Sequence, residues 1–197
     1  MLGAAYLLMA AGVPHEPVWG ALGAALGIGY VYFAHATSGT ADLELEAQSE
    51  RKPLYAYKVL LTHTLHAAPE GLAIGVAMVV SVPFGVFMAA AIAVHNVPEA
   101  MALCSILRGQ GDAVGRTAWL AAATRASQVL LAVSTYAVLV AAPLAVPWTL
   151  GFAVGALVYL VMVDLLPDSY RQAGPTSIAL VTVLAMGIVV LLSPSLP

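Results

Sequence analysis

The sequence predicts an all-α fold, a polytopic membrane helix bundle, and three observations carry that prediction. Of 197 residues, 61% are hydrophobic and only 9% are charged, whereas a soluble domain carries roughly 25% charged residues. Long apolar stretches are separated by short polar or proline-bearing connections. The basic residues, finally, cluster on alternate connections, as they do in chains that cross a bilayer repeatedly.

In chain order, Met1 to Gly12 is apolar but too short to span, and no basic residue precedes it. It reads as the remnant of a span whose beginning is missing, or as a mis-assigned start. Val18 to Ala36 is a Gly/Ala-rich span. Thr37 to Pro53 holds Asp42, Glu44, Glu46, Glu50, Arg51 and Lys52 and reads as a short loop. Tyr55 to Val80 and Phe84 to Leu107 are two long helices, with Ser81-Val82-Pro83 as the only break between them. Ala113 to Ala141, Trp148 to Leu166 and Thr176 to Leu192 complete the set. The expectation is about six full spans of roughly 20 residues plus a partial one, forming one transmembrane domain over residues 1–197. Glycines such as Gly23, Gly27, Gly71 and Gly75 suit close helix packing in lipid.

Orientation follows from charge. Arg51, Lys52, Lys58, Arg108, Arg116 and Arg171 fall on one side, while the connections at 14–17, 81–83 and 142–147 contain no Lys or Arg. The positive-inside rule makes the first side cytoplasmic. The amino terminus and the loop at 37–53 are then inside, the carboxyl terminus outside. A bacterial inner membrane is the expected location. No basic patch suggests nucleic acid. Cys104, alone within a span, permits neither a disulfide framework nor a thiolate cluster, and reads as a small buried apolar residue.

The informative stretch says nearly the same thing twice. His66-Ala67-Ala68-Pro69-Glu70-Gly71 is followed by His95-Asn96-Val97-Pro98-Glu99-Ala100. Each copy places His and Glu at i and i+4, on one helix face. Each has Pro just before Glu, which removes a backbone hydrogen bond and predicts a kink. If the two helices turn near Val82, Glu70 lies 12 residues before the turn and His95 13 after it. At about 1.5 Å per residue the motifs sit at similar depth, near the middle of each helix.

Ionisable groups at that depth cost roughly 2.5–3.5 kcal/mol each and by default mark a functional site. Two neighbouring carboxylates also repel. A divalent cation removes both costs, and two His with two Glu suit Zn²⁺, Fe²⁺ or Mn²⁺. A structural polar cluster or a metal-free proton relay would be the plainer use of the same residues. The doubled motif favours metal.

HAAPEGLAIG and HNVPEA resemble the fourth- and fifth-helix signatures of the ZIP (Zrt-, Irt-like) metal transporters, in their bacterial-type branch. Residues 155–168, GALVYLVMVDLLPD, resemble that family's seventh helix, and MLGAAYLL part of its second. The family has eight helices, so this chain would lack the first. The resemblance implies metal ligation by His66, Glu70, His95 and Glu99, and a dimer. It also implies a second metal in some members, but here the matching positions are Ala67, Asn96 and Gln128, which argues for one ion. The family's second-helix ligand would fall near Met1. Asn96, Gln128 and Met1 thus join His63, one turn inward of His66, as candidate pathway residues; His63 could equally be a packing histidine.

Arg125, the basic residue within a span, could snorkel to the inner interface or set a fixed positive charge against Glu70 and Glu99. Asp164 and Asp168 read as a solvated helix end or as part of metal release, and His15-Glu16 as a polar turn or a metal collector. His35 gives no clear signal. The loop at 37–53 contains no histidine, so a loop-based metal sensor is not expected.

The functional expectation is a transporter, not an enzyme, that moves zinc, or else iron or manganese, into the cytoplasm. The metal is substrate, and no prosthetic group is expected. Its partners would be the metal ion, the bilayer and a second copy of the chain. Protonation of the carboxylates would compete with metal, so uptake should depend on pH. The alternatives are a non-transporting metal-binding relative and an intramembrane metalloenzyme. Against the latter, the HExxH spacing of metalloproteases is absent.

Overall fold

The structure, a computed structural model, describes residues 1–12, 16–38 and 53–192. The described residues contain no strand. The helices are α1 (Leu2–Gly12), α2 (Pro17–Ser38), α3 (Pro53–Val80), α4 (Val82–Gly109), α5 (Val114–Thr124), α6 (Ala126–Ala141), α7 (Val146–Leu160) and α8 (Leu166–Leu192). Four segments are long and apolar enough to cross a membrane: Pro17–Thr37, Val82–Gly109, Val114–Ala141 and Pro143–Val163. Large apolar side chains such as Val94, Met101, Trp119, Val129 and Leu130 lie exposed along α4, α5 and α6, which suits lipid and not water. The chain is an integral membrane helix bundle. Helix α3, at 28 residues, is about 42 Å long and also exceeds the roughly 30 Å hydrocarbon core, while carrying the polar motif. The acidic and basic residues of the 37–53 loop lie almost wholly outside the described residues, as does His15.

The α3–α4 hairpin turns on one residue. Ser81 is extended, and its hydroxyl accepts from the Phe84 amide at 3.2 Å, satisfying one orphan donor of the new helix. Pro83 occupies the first turn of α4, where a missing N–H costs nothing. A side chain at Gly85 would collide with Met78, so the two helices close tightly from the turn onward.

Beyond the hairpin, two close approaches set the architecture. On α2 and α7, a Cβ at Gly23, Gly27, Gly151 or Gly155 would overlap a backbone carbonyl of the facing helix. Paired small residues four apart on both helices let the backbones touch. On α3, Gly71 and Gly75 face the α6 backbone at Gln128 and Ala132. That contact brings α6 against the residue that matters most, Glu70.

Two apolar clusters bracket a polar layer. Ala73, Val76, Ala77, Phe84, Met88 and Ile92 pack with Leu8, Leu150 and Leu157 on the hairpin side. Val59, Leu103, Leu107 and Ala121, with Cys104 against them, pack at the other end. Both motifs fall between the clusters in sequence.

The structure departs from expectation at two places. The span expected as unbroken over 113–141 is interrupted at Arg125, between α5 and α6. The connection expected after Leu166 is instead helical: α7 passes through a π-helical turn, Val161–Leu165, into α8, and the break falls at Gly174 with φ 74°. Only glycine takes that conformation freely. As expected, α3 and α4 each run as one helix through Pro69 and Pro98.

Candidate metal centre

Four helices supply the site, and each side chain has a local reason to be there. Pro69 cannot donate to the Leu65 carbonyl; the Tyr30 hydroxyl of α2 donates to that carbonyl at 3.3 Å instead. Ser127 donates to the Thr64 carbonyl at 3.2 Å. The backbone preceding Glu70 is therefore covered on both sides by neighbouring helices, as a membrane interior requires.

The Glu70 side chain is almost fully buried, with 1% exposure, and Glu99 and His95 are partly buried beside it. One donor atom from each of Glu70, His95 and Glu99 lies within 4.8 Å of the others. His95 Nε2 is 3.8 Å from Glu99 Oε1. Neither Glu70 Oε1 nor His95 Nε2 has a hydrogen-bond partner among the described residues. Buried polar atoms left without partners are rare; besides Arg125 Nε, these two are the ones among the described residues, and both belong to residue types that ligate divalent metals. Donors around a tetrahedral zinc ion stand about 3.4 Å apart, from metal–ligand distances of 2.0–2.2 Å; a small contraction closes the trio on one ion.

Arg125 fills the other side. Its Nη1 lies 3.4 Å from Glu70 Oε2 and donates to Asn96 Oδ1 at 3.2 Å, and its Nη2 donates to Glu99 Oε2 at 2.5 Å. Asn96 Nδ2 in turn donates to Gln128 Oε1 at 2.9 Å. Of the two readings left open for Arg125, the structure selects the fixed positive charge against Glu70 and Glu99; the guanidinium does not snorkel away. The sequence signal was an isolated basic residue deep in a span.

His66 stands outside the trio. Its Nδ1 lies 2.7 Å from the Thr62 carbonyl, one turn back, and its Nε2 lies 3.0 Å from Nε2 of His35 on α2. The rings meet edge to face, with centroids 5.1 Å apart. A carbonyl can only accept, so His66 carries its proton on Nδ1 in that contact and its Nε2 lone pair points at His35. The structure thus brings together three of the four expected ligands and pairs the fourth with a histidine that sequence reading passed over. No motif flags His35; only the α2–α3 contact does.

The remaining candidates are placed as follows. His63 Nδ1 lies 3.0 Å from the Val59 carbonyl, so that ring too keeps Nε2 as a lone pair. Asn96 and Gln128 are bonded to each other, as described above. Met1 and His95 line one cavity of about 390 Å³, bordered by Phe87, Ala91, Val161 and Met186. The side chains of Asp164 and Asp168 lie outside the described residues.

Comparison with known proteins agrees with the motifs. Residues 21–193 match the family described as ZIP Zinc transporter. Zinc transporter GufA of Myxococcus xanthus is 34% identical over 113 residues, 57% of this chain and 44% of that protein. Zinc transporter ZIP11 of Homo sapiens is 32% identical over 125 residues, 56% of this chain and 34% of that protein. A protein of Arabidopsis thaliana is 33% identical over 118 residues, 59% of this chain and 19% of its own length. The matches therefore span less than half of each relative.

Proposed function

Because the chain belongs to the ZIP zinc transporter family, we propose that it carries a divalent metal ion across the membrane into the cytoplasm, with zinc as the first candidate and iron or manganese as the others. The observation that carries this reading is the convergence of one ligand atom each from Glu70, His95 and Glu99, in a site where Glu70 Oε1 and His95 Nε2 are buried and unpartnered. An ion reaching His95 through the cavity beside Met1 sheds water and takes the trio as ligands. His66, facing His35, receives it one turn further in, and His63 lies one turn beyond that. Helices that rock about such a centre expose it to each side in turn. Family membership sets the metalloenzyme alternative aside. The same reading puts the chain in a bacterial inner membrane, amino terminus inside, as a homodimer.

The test is uptake of labelled zinc into proteoliposomes by wild type, Glu70→Ala and His95→Ala. Saturable wild-type uptake that both substitutions abolish is the expected result. Uptake that survives both would refute the site. Zinc binding without any uptake would favour the non-transporting relative, a reading kept open by the fraction of each relative that the chain matches.

A further inference from the structure

We propose that Arg125 is a resident cation that holds this centre to a single divalent ion and weakens its grip on that ion, so that the ion can leave. The proposal deepens the transport reading and rests on the same site.

Two independent observations point to it. The first is how the carboxylate oxygens are divided. Arg125 engages Oε2 of Glu70 and Oε2 of Glu99, one oxygen from each. What remains is Oε1 of Glu70, without a partner, and Oε1 of Glu99, beside the unpartnered Nε2 of His95. The guanidinium thus splits the pair of carboxylates into a half that is taken and a half that is open. A second ion bridging the two carboxylates would have to displace a buried, doubly paired guanidinium, which has no neutral form to retreat into.

The second observation is in the backbone. The span over 114–141 is helical except at Arg125, where φ is −83° and ψ is −9°. Its amide bonds to the Ala122 carbonyl at 3.1 Å, a tightened turn, and helix α6 restarts at Ala126. Thr124 and Ser127 on either side donate their hydroxyls to carbonyls one turn back. Irregular backbone inside a membrane is tolerated where it lines a site. Here it falls on the residue that carries the charge.

The charge balance gives the consequence. With both carboxylates ionised, the centre is net negative by one charge before metal and net positive by one with a single divalent ion. A second ion would raise that to three positive charges in a low-dielectric layer. The one bound ion, meanwhile, sits next to a positive neighbour that opposes it. The affinity is lower than the same ligands would give alone, which favours release.

The experiment uses the detergent-solubilised full chain with Mn²⁺ and Zn²⁺ as probes. Wild type saturated with Mn²⁺ should give the electron paramagnetic resonance signal of isolated ions. A spin-coupled pair that disappears in Glu99→Gln would overturn the proposal without any Arg125 variant. Arg125→Gln should bind Zn²⁺ about tenfold or more tightly and, in uptake, show KM and Vmax both lowered. Arg125→Lys, which keeps a charge but neither the two-pronged pairing nor the fixed ionisation, should fall between wild type and Arg125→Gln. A folded Arg125→Gln variant with unchanged affinity would also overturn the proposal. Failure of transport with this binding pattern intact would remove the transport reading and leave the resident cation standing; normal uptake with unchanged affinity in Arg125→Gln does the reverse.

Discussion

The approach of α6 to α3 holds Arg125 against Glu70, and Gly75→Ala tests it. A methyl at Gly75 would lie 2.6 Å from both the Ala132 carbonyl oxygen and the Thr135 Cβ, where ordinary contact begins at 3.4 Å. If the backbone yields, α6 moves back by about 0.8 Å, the difference between those distances. Carried rigidly to Arg125, that shift takes the 3.4 Å contact with Glu70 beyond 4 Å and breaks the pair. Overpacking of this size costs about 1–3 kcal/mol. Alanine itself gains up to roughly 1 kcal/mol over glycine in a helix, which would mask part of the effect. Gly29→Ala supplies the control, because nothing lies within 4 Å of a Cβ there. Comparing the two variants cancels the propensity gain and leaves the packing cost. Thermal unfolding in detergent should therefore place Gly75→Ala below Gly29→Ala by about 1–3 kcal/mol, with zinc uptake reduced only in the former. Equal stability and equal uptake in the two variants would refute the claim that this helix contact builds the site.

Two further outcomes follow from the histidine pair and the proline. His35→Ala removes one partner of His66 without touching the trio, so zinc uptake should keep its KM and lose Vmax severalfold; an unchanged Vmax would remove His35 from the route. Tyr30→Phe strips the hydroxyl from the Leu65 carbonyl that Pro69 leaves open. Interhelical hydrogen bonds in membranes average about 0.6 kcal/mol, so unfolding should shift by roughly that amount, whereas Tyr30→Phe combined with Pro69→Ala, which restores the backbone donor, should recover it.

Much of this was written in the sequence because membranes restrict the options. Charge is so costly in lipid that Glu70, Glu99 and Arg125 stand out by composition alone, and the His-to-Glu spacing assigns each pair to one helix face. The matched distances from Val82 place Glu70 and His95 at one depth, and the hairpin at Ser81 bears that out. What periodicity could not supply was rotation about neighbouring helices. His35 meets His66 across the α2–α3 contact, while close approach at Gly23, Gly27, Gly151 and Gly155 holds α2 on α7. The break at Arg125 was equally hidden, since TRASQ contains no Pro or Gly to announce it. At the far end, the connection expected after Leu166 is helical because the π-helical turn carries α7 into α8 without a break.

Irregular backbone gathers around this centre. Pro69 and Pro98 each remove a donor one residue before a carboxylate, and Arg125 interrupts its span beside both. Val161, the first residue of the π-helical turn, and Leu166, which follows it, border the cavity that His95 opens into. In water such defects would be ordinary. In lipid each exposed carbonyl would cost several kcal/mol, so a bundle selected for stability alone would place them at its ends. Here the defects near Glu70 are compensated individually: Tyr30 covers Leu65, Ser127 covers Thr64, and Arg125 covers two carboxylates and an amide. Glu70 Oε1 and His95 Nε2, candidate ligand atoms, are left uncovered. Cover for the backbone beside Glu70, with open lone pairs on Glu70 and His95, is the arrangement that the proposed metal site requires.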